Sequence, residues 1–313
     1  MTVTTIPGLE NSEPTHEPPQ RKRKRSAKHF LMACLLVIPN FVLLLLFTYR
    51  PLIDNIRLSF FDWNIASTRP ATFVGMRNYV EWAKDPVSWQ IVGQTVAFTF
   101  FAVFGSMILG LGLALLLDRK LKGRNFVRSL VFAPYVISGA AIGVAFQFVF
   151  DPGYGLIQDL LGRVGLDSPQ FYTSPFWALF MVTATYIWKN LGYTFVIYLA
   201  ALQGLRKDLD EAAEIDRTPR FRKFWRVTLP QLRATTFFLS ITVLLNSFQV
   251  FDIINVMTGG GPLDTSTTTL VYQVYQETFV NNRAGYGAAV ATIMFLAVLV
   301  ITAVQVRMQE KER

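Results

Sequence analysis

Four of the long apolar stretches of this 313-residue chain carry no charged side chain over twenty or more residues: 30–49, 91–117, 129–150 and 284–306. A hydrocarbon layer about 30 Å thick is crossed by about 20 apolar residues in helical form. Inside that layer an unpaired amide or carbonyl has no water to bond, so a spanning segment of this length is a helix. Two more stretches have the same length with one charge each: Phe176–Leu205, which holds Lys189, and Ala234–Met257, which holds Asp252 toward one end. The pattern predicts an all-α integral membrane fold of six transmembrane helices. Only 16% of the residues are charged, against about 25% in soluble domains. The first run is too long for a signal-peptide core, and no small-x-small cleavage site follows it. It reads as a permanent anchor.

Lys and Arg set the direction of threading. Segments 1–29, 118–128, 205–233 and 307–313 together carry 22 of them, whereas the intervening loops 50–90, 151–175 and 258–283 carry 7. This asymmetry predicts that both termini are cytoplasmic. The expected organisation is a disordered basic tail over 1–29, a six-helix domain over 30–306, and a short cytoplasmic tail over 307–313. The run Arg21–Arg25 suits anionic lipid headgroups. The net charge of +9 therefore points to membrane orientation and not to nucleic acid. The aromatics of the 50–90 loop, Phe60, Phe61, Trp63, Trp82 and Trp89, are expected mainly as interface anchors.

Catalysis within the chain is not expected. Its one cysteine, Cys34, lies in an apolar run, and its two histidines, His16 and His29, lie in the basic tail. They assemble neither a metal cluster nor a nucleophile–base pair. No Gly-x-x-x-x-Gly-Lys-Ser/Thr loop is present, so ATP would be handled on another chain. An ion-coupled secondary transporter or channel is the rival class. It calls for internal repeats and intramembrane acids, and no clear repeat is visible, with Asp252 the only intramembrane acid.

The longest predicted cytoplasmic loop, 205–233, begins with Leu209-Asp210-Glu211-Ala212-Ala213-Glu214-Ile215-Asp216, a good helix former with acids placed early. Pro219 should end or interrupt that helix. Phe221, Phe224, Trp225 and Leu229 would then form an apolar stripe on a second short helix. Such a pair suits either docking to a partner or lying on the membrane interface.

Polar side chains inside spans are costly and mark pathways or interhelical bonds. On the fourth span Tyr186, Lys189, Asn190 and Tyr193 share one helical face; on the fifth, Asn246, Gln249 and Asp252 fall three apart, with Ser247 beside them. Amides, hydroxyls and aromatic rings suit a sugar, or else glue helices together. Lys189 would meet an anionic group or pair internally with Asp252. Asp252 itself is best read as capping the fifth span at the outer interface. The glycines Gly259-Gly260-Gly261 before Pro262 mark a turn, either plain or a surface for a partner.

The loop resembles the coupling motif of permease subunits in binding-protein-dependent ATP-binding-cassette importers. The matching residues are Glu211-Ala212-Ala213, position 217, and Val227-x-Leu229-Pro230 at the family's spacing. The likeness extends over nearly the whole chain, through Phe61-Asp62-Trp63, Phe73-Val74-Gly75 with Asn78-Tyr79, Pro134-Tyr135, Gly259-Gly260-Gly261-Pro262 and Gly287-Ala288-Ala289. It is similar to the carbohydrate-uptake branch, in the maltose- and glycerol-phosphate-permease group. The resemblance implies a type I importer permease fold in a bacterial inner membrane. It also implies a second permease, two ATPase subunits carrying ATP and Mg, and an extracytoplasmic binding protein. Glu211, Ala212, Ala213, Asp216, Arg217, Leu229 and Pro230 would face the ATPase. The family's solute-facing positions fall on Tyr186, Lys189, Asn190 and Tyr193, and on Val243, Asn246, Ser247 and Val250. Two of these are apolar, a departure from a maltose-type lining. Lys189 after Trp188, and the segment 267–272, are similar to importers of glycerol phosphate or its diesters. The family's glycine is Arg217 here; a positive φ at that position would cost arginine about 1 kcal/mol, unless the turn is altered or Asp216 pairs with Arg217.

Overall fold

The computed structural model describes residues 27–118, 123–261 and 265–310. The expected disordered tail up to residue 26, with Arg21–Arg25, lies outside the described residues, as do Pro262 and 311–313. The chain forms two compact units, Met1–Leu52 and Ile53–Arg313. The first contains α1 (Ala27–Leu44) and a π turn, Leu45–Tyr49. Next in the chain is α2 (Arg50–Leu58).

In the second unit a small hairpin, β1 (Phe61–Asp62) and β2 (Thr72–Phe73), precedes α3 (Arg77–Lys84) and α4 (Pro86–Leu117). Then come α5 (Arg124–Val136), α6 (Gly139–Val149), α7 (Leu156–Arg163) and α8 (Pro175–Gln203). The 205–233 region forms α9 (Lys207–Ile215), α10 (Arg220–Lys223) and α11 (Leu229–Gln231). The chain ends with α12 (Arg233–Phe248), α13 (Asp252–Met257), α14 (Leu270–Tyr275) and α15 (Ala284–Glu310).

Three helices among the described residues are long and apolar enough to cross a bilayer: Cys34–Leu58, Pro86–Leu117 and Ala284–Met308. The number rises to five if each of two sharply bent helix pairs is one span. The predicted fourth span is α8, 29 residues long and so able to reach roughly 40 Å. Its Tyr, Thr, Lys and Asn residues make it too polar to qualify on hydropathy alone.

Helix α8 is the centre of the second unit. It packs most extensively on α4 and next on α5, burying Met181, Val182, Phe195 and Tyr198 against Phe98, Ala102 and Ala114. Lipid tails are as apolar as leucine, so the hydrophobic effect gives little drive for helix association in a bilayer. Close backbone approach and interhelical hydrogen bonds supply it instead. The Thr194 hydroxyl, fully buried, donates to the Ser106 carbonyl at 2.7 Å.

Two predicted spans are not continuous. The third, expected over Ser129–Phe150, divides into α5 and α6, which meet at 102°. The fifth, expected over Ala234–Met257, stops at Phe248 and restarts at Asp252. Hydropathy averages over such breaks. The visible signals were Pro134, which removes an amide from α5, and Gly139 at the start of α6.

At the end of the unit bearing the hairpin, the motif residues of the 50–90 loop are structural. Asn78 is buried and donates to the carbonyls of Ser59 at 2.8 Å and Phe61 at 3.0 Å. The Tyr79 and Ser59 hydroxyls lie 2.6 Å apart. Trp82 corrects the expectation of an interface anchor: it is buried, and its indole N–H donates to Gln273 Oε1 at 3.3 Å. Arg283 joins α3 to the start of α15 by pairing with Glu81, and it lies 3.6 Å from Glu277 and 4.2 Å from the Tyr286 ring centroid. The hairpin packs so closely on α15 that a Cβ at Gly285 would overlap the Phe61 carbonyl oxygen. Because the obstacle is backbone, it cannot swing away. Gly285→Ala should therefore destabilise the unit by about 1–3 kcal/mol, the usual cost of overpacking. Thermal unfolding of the purified chain in detergent reads this as a lower midpoint, and an unchanged midpoint would show that the hairpin is not held there.

Candidate functional site

The two breaks and the polar face of α8 converge on one cavity of about 340 Å³. Helix α8 contributes Tyr186, Lys189 and Asn190, the end of α5 contributes Tyr135, and the α12–α13 break contributes Asn246, Gln249, Val250, Asp252 and Ile253. Non-helical backbone at membrane depth survives where it lines a cavity or is buried in protein. The break from 249 to 251 follows that rule through tight turns. The Gln249 amide donates to the Asn246 carbonyl at 3.2 Å and the Val250 amide to Ser247 at 3.3 Å.

Asn246, Gln249 and Asp252 thus share a cavity because the helix ends between them. The uninterrupted helical spacing expected from sequence does not hold beyond Phe248. Asp252 is not the cap of a continuous span. It opens α13, accepts the Ile253 amide at 2.9 Å, and lies against Gly139, where a Cβ would overlap its carboxylate. The ion pair considered between Lys189 and Asp252 is not formed among the described residues. Lys189 instead donates to the Tyr135 carbonyl at 3.2 Å, with its ammonium 5.4 Å from the centroid of the Tyr135 ring.

The remaining sequence-predicted residues divide. Tyr186 is buried, stacks edge-on against Phe98 with centroids 5.2 Å apart, and its hydroxyl has no hydrogen-bond partner among the described residues. Asn190 donates to the Tyr186 carbonyl at 3.0 Å, within its own helix. Tyr193 sits outside the cavity lining and stacks on Tyr135, centroids 5.1 Å apart. Ser247 and Val243 are buried outside that lining, and Ser247 bonds back to the Leu244 carbonyl. Tyr135 and Ile253 are the lining residues absent from the sequence candidates; for Tyr135 the signal was the Pro134-Tyr135 pair at the end of a half-length helix.

The 205–233 region folds as two helical segments, α9 and the continuous run Arg220–Gln231 that contains α10 and α11. Arg206 forms an ion pair with Asp208 at 2.6 Å and holds its carboxyl below the usual carboxylate range. The Arg206 amide donates to Gln231 Oε1 at 3.3 Å, tying the entrance of the loop to its exit. Glu211 is exposed on α9, Ala213 is buried beneath it, and Ala212 belongs to the same helix. Leu229 and Pro230 open α11, and α11 meets α12 at a sharp bend of 68° between Arg220–Gln231 and Arg233–Phe248. Ile215, Phe221 and Trp225 are exposed, with Phe221 and Trp225 in edge-on contact at 6.1 Å.

The helix α9 ends with the Thr218 amide donating five residues back to the Ala213 carbonyl at 2.9 Å, and Arg217 has φ +49°. This is the Schellman arrangement, with a left-handed residue at the position after the cap. The turn expected of glycine is therefore kept with arginine in it. Among the described residues no ion pair joins Asp216 to Arg217. The left-handed conformation costs a side chain about 1–2 kcal/mol. Glycine would recover part of this while losing some through a freer unfolded chain. Arg217→Gly should steady the turn by about 0.5–1 kcal/mol. Amide exchange at Thr218 should slow accordingly, and unchanged or faster exchange would mean that the strain is absent.

Residues 103–313 match the family of the binding-protein-dependent transport system inner membrane component. The chain is 35% identical over 277 residues to the sulfoquinovosyl glycerol transport system permease protein SmoG of Agrobacterium fabrum, covering 88% of this chain and 90% of the relative. It is 34% identical over 288 residues to the sn-glycerol-3-phosphate transport system permease protein UgpA of the same organism, covering 90% and 95%. A bacterial importer of the acidic polysaccharide alginate, solved by crystallography, has a chain of the same fold, with a TM-score of 0.79 at 22% identity over 91% of this chain and 96% of that one. With this agreement along its length, the chain belongs to the family of binding-protein-dependent transport system inner-membrane components.

Proposed function

We propose that this permease subunit crosses the bilayer six times, with both termini and the 205–233 loop in the cytoplasm. It carries a sugar or a glycerol-phosphate-like solute through the cavity at the α5–α6 and α12–α13 breaks. The subunit is not itself an enzyme. A second permease completes the path, two ATPase subunits bind ATP and Mg, and an extracytoplasmic binding protein delivers the solute. The relatives named for sulfoquinovosyl glycerol and for sn-glycerol-3-phosphate support this solute class. So does a lining of amides, hydroxyls and aromatic rings. The observation that carries the reading is the cavity itself: backbone is interrupted on two neighbouring elements and side-chain polarity from α8 is directed there.

Force would enter through α9–α11. Exposed Ile215, Phe221 and Trp225 offer an apolar surface, and the 68° bend passes any displacement of α11 to α12. Glu211→Lys, or deletion of residues 209–220, should abolish uptake while the chain still inserts and assembles. Undiminished transport by either variant would refute coupling through this loop. Threading is checked separately. In a Cys34→Ala background, a cysteine replacing exposed Ile215 should react with an impermeant maleimide in inside-out vesicles and not in intact spheroplasts. Labelling only from outside the cell would reverse the topology.

A further inference from the structure

The predicted spans contain two charged side chains, Lys189 and Asp252, and both line the cavity. They do not pair with each other. Each lies instead at one side of the break in the predicted third span. The last carbonyls of α5 have no amide ahead of them in the helix, and Lys189 bonds the Tyr135 carbonyl, one of these. Tyr193 stacks on the Tyr135 ring and Lys189 lies over it, so α8 grips this end twice. At the other side of the break, the Asp252 carboxylate lies against Gly139, the first residue of α6. Helix carbonyl ends are negative and amide ends positive. Each charge is therefore matched to the helix end it meets.

We propose that Lys189 and Asp252 are positioning residues that cap the two halves of the broken span, leaving the cavity electrically balanced toward solute. Recognition then falls to the exposed neutral groups of the lining, Asn246 and Gln249. The solute they fit is a polyhydroxylated compound without net charge: Lys189 and Asp252 keep their charges, but with both in the lining their opposite fields offset each other. This rests on the cavity being the solute path and narrows the class of solute within it.

The test uses charged thiol reagents, so it needs no identified solute. The full chain, with Cys34→Ala and Gln249→Cys, is expressed with the rest of its transporter. Modification rates are measured in membrane vesicles of both orientations with a cationic methanethiosulfonate, an anionic one and neutral N-ethylmaleimide, each normalised to its rate with a free thiol. A balanced cavity gives cationic and anionic rates within about threefold of each other, whereas one unbalanced charge a few ångströms away separates them by about tenfold or more. A tenfold preference for either sign overturns the proposal. Positioning is read with the neutral reagent, which does not sense charge. Lys189→Met should change its rate by about threefold or more as the capped end relaxes, and Lys189→Arg, which keeps a charged donor, should restore it. An unchanged neutral rate in Lys189→Met overturns the positioning role while leaving the path intact. No reaction with any reagent in either orientation means that the cavity is not reached by solvent, and the path reading fails together with this inference.

Discussion

Backbone that leaves the helix inside a bilayer must find hydrogen bonds among its neighbours, because the lipid offers none. That requirement organises the second unit. The predicted third span breaks between Val136 and Gly139, and the predicted fifth between Phe248 and Asp252. Side chains and turns answer both breaks from within. The Lys189 ammonium takes a carbonyl that α5 leaves open, and tight turns at 249–250 use the amides that α12 cannot. Charged groups are rare in spans because their burial is expensive. Here the expense is offset by orphaned helix ends that no apolar side chain could satisfy. A cavity is the natural product of such a place, since two helices that stop short leave volume which α8 lines with polar groups.

Helix α8 can be this polar because Thr183, Thr185, Asn190 and Thr194 are buried against protein, while Phe176, Phe180 and Trp188 make up its exposed side. It is long enough to span, yet its Tyr, Thr, Asn and Lys residues lower its hydropathy below that of α4 and α15. Against lipid those groups would be unfavourable. Against α4 and α5 they become interhelical bonds such as Thr194 to the Ser106 carbonyl. The same side chains thus fix the core and furnish the site.

The 205–233 loop shows a different economy of conformation. Its first helix closes with a Schellman turn around Arg217 at positive φ, a place where glycine carries no steric cost. The hydrogen bond from Thr218 to Ala213 holds the turn regardless of the residue in it. The geometry survives the substitution because it is specified by backbone bonds and by the helix on either side.

Much was legible before any coordinates. The charge-free runs dictated helices, the Lys and Arg asymmetry set the expected threading, and Glu211 to Pro230 announced two short helices parted near Pro219. Those features are local or additive, so chain order alone carries them. Tyr186, Lys189, Asn190, Asn246, Gln249 and Asp252 were also identifiable as a polar set. What brought them together was not. A hydropathy window averages across Ile137–Ser138 and Gln249–Phe251, and the helical spacing assumed through Asp252 fails at Phe248. Trp82 looked like an interface anchor until its indole met Gln273, nearly two hundred residues on. Where a helix stops, and which carbonyl a lysine then satisfies, depends on the partners that distant segments supply. Sequence determined which residues had to be helical and which were too polar for lipid. Tertiary structure alone decided where the helices break and which charge meets which end, because a broken backbone is stable only when particular neighbours are close enough to complete it.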